Sequence, residues 1–423
     1  MAQHFLSEHM LSAGFTASSR LSCSRRQFGK VLSAGLLGAM MGCQATEEKT
    51  GVPIDVQLAE LFAGDPMPGG LAAAAVRGEK LVWSGGFGHA DIGGGIPMSP
   101  DHIQNIGSIS KTVTATAIMQ LWEQGAFKLD DDINAYLPYS VRNPRFPDAP
   151  ITFRQLLAHR SSINDGPSYD ESYACGDPAV SLAEWIEGYF TEGGAYYDAE
   201  ANFHTWIPGT TNPPESPRAY SNVAYGLLGV LVEQIAGGLF SDYCRQHIFE
   251  PLRMDKTGWH LSEIDQSQHA MLYSGVPEEA GETLYLPADG TRESLVVDGV
   301  YPHCLYSFYN YPDGLVRTSV NGLSRFLRAY MNGGALEGGR ILKAETIQTM
   351  LSDQHFERGL CWDTYGDEDD VWGHDGGDPG VATFMGYTPA ENLGVVLFFN
   401  AGNFSDNTNE MVSALFEAAR TAA

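Results

Sequence analysis

The chain has 423 residues, of which 43% are hydrophobic and 11% aromatic, enough for one large packed domain or two. The formal charge is −27, and only seven lysines occur. That balance excludes nucleic acid as a partner, because phosphate binding needs clustered Lys and Arg, and it excludes a basic membrane-surface patch.

The first segment reads as an address. Residues 24–30 are Ser-Arg-Arg-Gln-Phe-Gly-Lys, followed from Val31 to Met41 by an uncharged run of apolar and small side chains. A positive region before an apolar stretch too short to span a bilayer is the pattern of a twin-arginine export signal over residues 1–42. The plainer reading is a basic turn before a buried helix. Cys43 follows Met40-Met41-Gly42, which resembles a lipoprotein processing site. Lipid on Cys43 would anchor the chain without a spanning helix; otherwise Cys43 is an ordinary residue near a cleavage site. Either way the expected location is outside the cytoplasm, in the periplasm or on a membrane facing it. A linker is expected over 43–54.

From residue 55 the pattern is that of an α+β protein. Residues 70–77 and 80–87 are two apolar stretches separated by a Gly-Glu step, a hairpin. Ser110–Glu123 predicts a helix with Val113, Ile118, Met119 and Leu121 on its buried side. Ala224–Ala236 predicts another, ending at Gly237-Gly238. Further helices are expected over Phe240–Phe249 and Val320–Met331. Residues 140–220 and 275–315 read as loops rich in Pro, Gly, Tyr and Asp. A second hairpin is expected from 380–387 and 393–399, and a last helix from about Asn407 to Arg420. Strands at both ends and helices between them predict a sheet part (about 55–107 and 310–423) interrupted by a helical insert (about 108–309), with a site in the cleft between. Cys175, Cys244, Cys304 and Cys361 allow three disulfide pairings that the sequence does not rank. No Cys-x-x-Cys or His-x-x-x-His spacing suggests a metal site.

Three short motifs carry chemistry. In Ser108-Ile109-Ser110-Lys111 the spacing of three places Ser and Lys one helical turn apart on one face. The free N–H groups of the helix start favour negative charge there. A serine hydroxyl needs a neighbouring base to become a nucleophile, and Lys111 is in position to act or to tune one. By chance alone this spacing is a helix start with a surface lysine. The second motif is Tyr220-Ser221-Asn222, just before the helix at 224. A tyrosine beside an ammonium can hold a phenolate and relay a proton, and Asn222 offers a donor and an acceptor to a substrate amide. Tyr330-Met331-Asn332 repeats the spacing but stands at a helix end before Gly333-Gly334, as a cap. The third motif is His374-Asp375-Gly376-Gly377, whose glycines let a strand approach a ligand closely and supply an N–H to an oxyanion hole. Taken singly it is a Gly-rich loop with a surface histidine.

In this order the three motifs resemble those of the serine β-lactamase and penicillin-binding-protein superfamily, in its class C β-lactamase-like branch. The stretches Ile151-Thr152-Phe153-Arg154-Gln155-Leu156-Leu157-Ala158-His159, Pro208-Gly209 and Pro251-Leu252-Arg253-Met254-Asp255-Lys256-Thr257-Gly258-Trp259 are similar to family segments too, so the likeness covers roughly 55–420. The resemblance implies a β-lactamase/transpeptidase-like fold and a serine hydrolase acting through a covalent acyl-enzyme. Ser108 would be the nucleophile, and Lys111 and Tyr220 would share the general-base role. The backbone N–H groups of Ser108 and Gly377 would form the oxyanion hole, with Asn222, His374, Asp375 and Gly376 at the substrate. No cofactor or metal is expected. Asp375 stands where many relatives have Thr, and His374 where many have Lys. Both lower the positive charge, which disfavours β-lactams and C-terminal carboxylates and favours neutral esters and amides or substrates bearing an amine. The rival expectations are a D-specific carboxypeptidase or β-lactamase acting on cell-wall material, and a lipoprotein that binds peptides or cell wall without turnover.

Overall fold

Residues 52–64, 68–210, 219–275, 299–352, 359–366 and 370–422 are described in the computed structural model of the chain. The leader expected over 1–42 and the junction at Cys43 lie outside them.

The core is organised by one strand of small side chains. Strand β1 (Gly70–Arg77) pairs with β2 (Lys80–Asp91), and β2 with the short β3 (Ile96–Pro97). From the far end of the chain come β4 (Asp363–Tyr365), β5 (Val371–Asp378), β6 (Val381–Thr388) and β7 (Leu393–Phe399). The sheet order is β4-β5-β6-β7-β1-β2-β3, with antiparallel neighbours throughout. Alternation splits β1 between two cores. Ala72, Ala74 and Val76 face one apolar cluster, while Leu71, Ala73 and Ala75 face a second. Four alanines in a row let helices lie close on both faces. α1 (Ile54–Gly64) opens the described chain, and the helix of residues 320–331 packs on one face of β1 and β7 while that of residues 408–421 packs on the other.

The middle of the chain is helical. α2 (Ser110–Glu123) follows a single 3-10 turn over Gly107–Ile109. α3 (Leu182–Phe190) and α4 (Val223–Ala236) pack on each other, and α4 also packs on α2. α4 stops at Gly237, whose φ of 77° is the left-handed turn that favours glycine. The helices near the C-terminus are α5 (Val320–Met331) and α6 (Thr408–Thr421). α3 lies inside a stretch read from sequence as loop. Its buried Leu182, Trp185, Ile186 and Tyr189 recur at helical spacing, and Ser181 caps it by accepting from the Glu184 N–H. The Tyr330 motif is structural, as its spacing at a helix end implies. α5 ends at Met331, Asn332 Nδ2 donates to the Arg328 carbonyl at 2.6 Å, and the buried Tyr330 hydroxyl bonds Thr116 at 2.7 Å.

Of the three open cysteine pairings the structure contains Cys175–Cys304, while Cys244 and Cys361 are buried thiols outside any disulfide. The bridge ties two short paired strands, Ala174–Cys175 and Tyr306–Ser307, that border the site. Among the described residues no single helix is long and apolar enough to cross a membrane.

Candidate active site

Ser108 sits where the 3-10 turn runs into α2. The turn presses against β5 so closely that only glycine fits on either side. A Cβ on Gly107, whose φ is +52°, would lie 3.0 Å from the Gly377 nitrogen. A Cβ on Gly376 would lie 2.3 Å from the Ile106 carbonyl oxygen and 3.0 Å from the Ser108 nitrogen. The backbone amides of Ser108 and Gly377 are thereby brought to one place, which is the arrangement an oxyanion hole requires.

One turn beyond Ser108, at the start of α2, Lys111 is wholly buried. Its Nζ donates to Ser108 Oγ at 3.0 Å and to the Asp313 backbone oxygen at 2.9 Å, and lies 3.4 Å from Asp313 Oδ2. It also hydrogen-bonds Tyr220, whose ring centroid is 5.0 Å away. Burial alone pushes the Lys111 ammonium down, but the neighbouring charges of Tyr220 and Asp313 outweigh it and hold it above the ordinary lysine value. Tyr220 is stacked on His159, with ring centroids 4.2 Å apart, and His159 Nδ1 accepts from the Ser221 N–H at 3.1 Å. His159, in the stretch Ile151–His159, has a φ of 54° and seats the tyrosine through that stack.

Asn222 opens α4 against Asp165. The Asp165 carboxylate accepts from the backbone N–H groups of Asn222 and Val223 at 3.0 Å each, from Ser221 Oγ at 3.1 Å and from Asn222 Nδ2 at 2.9 Å. A carboxylate on the first N–H groups of a helix satisfies donors that the helix cannot. Burial nevertheless raises the Asp165 pKa, against these hydrogen bonds. The motif residues Ser221 and Asn222 are therefore fixed by an acid the sequence reading did not single out.

On β5, His374 is 3% exposed. Its Nδ1 lies 2.6 Å from the Asp375 carbonyl oxygen, and its Nε2 has no partner among the described residues. Burial lowers its pKa, against the pull of Asp363 and Asp375 and with Lys111 assisting, so the ring is neutral at pH 7. Asp375 does not join the others. Strand alternation turns its side chain to the opposite face from His374 and Gly376, where Oδ1 accepts from the Tyr365 hydroxyl at 2.6 Å. Tyr365 belongs to the second apolar cluster, on the α6 side of the sheet. The expectation that Asp375 sets the charge facing the substrate is corrected by that alternation.

Two other carboxylates occupy the cleft instead. Asp313 accepts from Tyr169 at 2.9 Å and from Asn310 Nδ2 at 2.8 Å, and burial pushes it up to about 6. Asp378, one residue beyond Gly377 and on the Ser108 face of β5, accepts from Tyr173 at 2.9 Å and Asn105 Nδ2 at 3.2 Å. Among the described residues no group of His, Cys, Asp or Glu is arranged to hold a metal ion.

Residues 60–419 match the family model described as Beta-lactamase. Penicillin-binding protein 4* of Bacillus subtilis (strain 168) is 24% identical over 324 residues, 74% of this chain and 63% of that protein. The D-alanyl-D-alanine-carboxypeptidase/endopeptidase AmpH of Escherichia coli (strain K12) is 22% identical over 413 residues, covering 92% of this chain and 96% of that one. D-amino acid amidase from Ochrobactrum anthropi SV3, in its complex with L-phenylalanine, has the same fold, with a TM-score of 0.66 at 22% identity over 86% of this chain and 97% of the other. A sheet in the order described, a serine one turn from a buried lysine and a family match across most of its length place one conclusion beyond the fold alone: the chain belongs to the β-lactamase family of serine hydrolases.

Proposed function

We propose that Ser108 is acylated by an ester or amide substrate and that water then releases the acyl group. The observation that carries this reading is the hydrogen bond from the buried Lys111 ammonium to the Ser108 hydroxyl. Because Lys111 is held in its charged form, Tyr220 takes the base role: its phenolate, stabilised by Lys111, accepts the Ser108 proton as Oγ attacks the carbonyl carbon. The developing oxyanion is held by the N–H groups of Ser108 and Gly377. Tyr220 then returns the proton to the departing oxygen or nitrogen, and water repeats the sequence on the acyl-enzyme. Asn222 and the neutral His374 contact the substrate, and no cofactor takes part. A neutral histidine at 374 offers no fixed charge to a substrate carboxylate, which favours neutral esters and amides over β-lactams.

A second reading, a D-alanyl carboxypeptidase acting on cell-wall peptides, is favoured by the relative of that name that aligns over 92% of this chain. The twin-arginine pattern over 1–42, with or without lipid on Cys43, supports a periplasmic setting for either activity. A fluorophosphonate probe tests the common step: mass spectrometry should find the adduct on Ser108, and a protein left unlabelled would be a binder without turnover. Release of D-alanine from a D-alanyl-D-alanine peptide, with no ester turnover, would select the second reading.

A further inference from the structure

The Asp378 carboxylate lies in the cleft with hydroxyl and amide donors around it and no cation on it. The groups facing it are the phenols of Tyr173 and Tyr306, the Asn105 amide and, further off, Tyr169, Asp313, Lys111 and the buried Arg317. Among the described residues none of the Lys, Arg or His side chains forms an ion pair with it. It is half-buried rather than sealed. Two features make it a built position. The disulfide Cys175–Cys304 joins the segments that carry Tyr173 and Tyr306, and Tyr306 also accepts from Asn105 at 2.9 Å and donates to the Pro379 carbonyl at 2.9 Å. On the same face of β5, four residues away, the buried His374 Nε2 is a polar atom with no partner among the described residues. A carboxylate without an ion pair and a ring nitrogen without a partner, on one strand and on either side of the oxyanion amide of Gly377, point to a substrate that meets both.

We propose that Asp378 determines specificity by binding a protonated amine carried on the acyl part of the substrate, close to the scissile carbonyl. The inference rests on the acyl-enzyme reading above. The position follows from the backbone: Asp378 is the residue next to Gly377, whose N–H takes the carbonyl oxygen, so a cation on Asp378 sits within a few bonds of that carbonyl. An amino-acid amide or ester with a free amine has its ammonium there. A carboxylate in this place gains a charge-assisted hydrogen bond and repels an anionic acyl group. Burial pushes Asp378 up to about 7, with the Tyr173 hydrogen bond and Lys111 opposing and Asp313 adding to it. Preference for the amine therefore grows as the pH rises through that range, until the substrate amine itself loses its proton.

The test uses alanine p-nitroanilide, in both D and L forms, against its N-acetyl counterpart. The readout is the ratio of kcat/KM for the free amine over the acetylated compound. The ratio is expected to exceed one in the parent protein, to rise between pH 6 and 8, and to fall about 10- to 100-fold in Asp378→Asn, the range of a charge-assisted hydrogen bond. Calorimetric binding of alaninamide and N-acetylalaninamide to Ser108→Ala reads the same preference without turnover. The pH dependence in the parent protein needs no substitution at Asp378 and stands if that variant misfolds. An unchanged ratio in folded Asp378→Asn, or a parent preference for the acetylated compound, would overturn the assignment. Failure of Ser108 to take a fluorophosphonate would instead overturn the hydrolase reading, while the binding measurement would still decide Asp378.

Discussion

Lys111 Nζ lies 3.4 Å from a carboxylate oxygen of Asp313, and the two side chains are 0% and 3% exposed. The pair is 202 residues apart in sequence. A buried ion pair adds little net stability, but removing one partner strands the other, at about 3–5 kcal/mol. Its use here is to keep Lys111 charged. In Asp313→Asn the ammonium loses that support and its pKa falls. The alkaline limb of the pH profile of kcat should move to lower pH, with kcat reduced by up to about 10²- to 10⁴-fold, the range ascribed to general acid–base catalysis. An unmoved limb in a folded variant would remove Asp313 from the catalytic account.

The raised acids make a prediction about stability. An Asp titrates near 3.9 in the unfolded chain, whereas Asp313 and Asp378 are pushed up to about 6 and about 7 when folded. Between those limits the folded protein binds more protons than the unfolded chain, so the contribution of these groups is complete below about pH 4 and is lost as the pH rises to about 7. Urea midpoints measured from pH 4 to 8 should show this component, and Asp378→Asn should flatten it. A slope identical in parent and variant would contradict the assignment.

Gly376 tests the closeness of β5 to Ser108. A Cβ there meets the backbone at Ile106 and Ser108, neither of which is a flexible tip. Gly376→Ala should push the strand outward and misplace the Gly377 N–H. Loss of one oxyanion donor costs about 10²- to 10³-fold in kcat, so a fall of that size is expected with the circular dichroism spectrum retained. Near-normal kcat would mean that the strand does not supply the donor.

The disulfide closes a sequence separation of 129 residues. Removing a native bridge typically costs about 2–5 kcal/mol. Cys304→Ser should therefore lower Tm by several degrees and match the reduced parent protein. Because Cys244 and Cys361 are buried, a thiol reagent should find no reactive group in the native oxidised described region. Equal Tm with and without reductant would argue against the bridge.

What the sequence showed depended on distance along the chain. The hairpins at both ends and the helices over Ser110–Glu123 and Val320–Met331 are local patterns, and they appear at those residues. Ser108 and Lys111 meet because three residues make nearly one turn. Tyr220 and Gly377 are brought in by tertiary packing, and only the order of motifs pointed to them. Asp165, Asp313 and Asp378 carried no signal, since an acid in a Tyr- and Pro-rich loop or a Gly-rich strand has no period that marks it as buried. Asp375 shows the opposite failure: its place in the motif beside His374 puts it at the substrate, but neighbouring residues on a strand point to opposite faces. Asp378, three positions on, lies on the same face as His374.

The central claim is that Ser108 is the nucleophile. It is tested most directly by p-nitrophenyl butyrate hydrolysis by the parent protein and by Ser108→Ala, each checked for folding. The account predicts turnover by the parent protein and a loss of at least about 10³-fold in the variant, the scale seen when a catalytic nucleophile is removed. Turnover that survives in Ser108→Ala would contradict it and place the chemistry on another side chain.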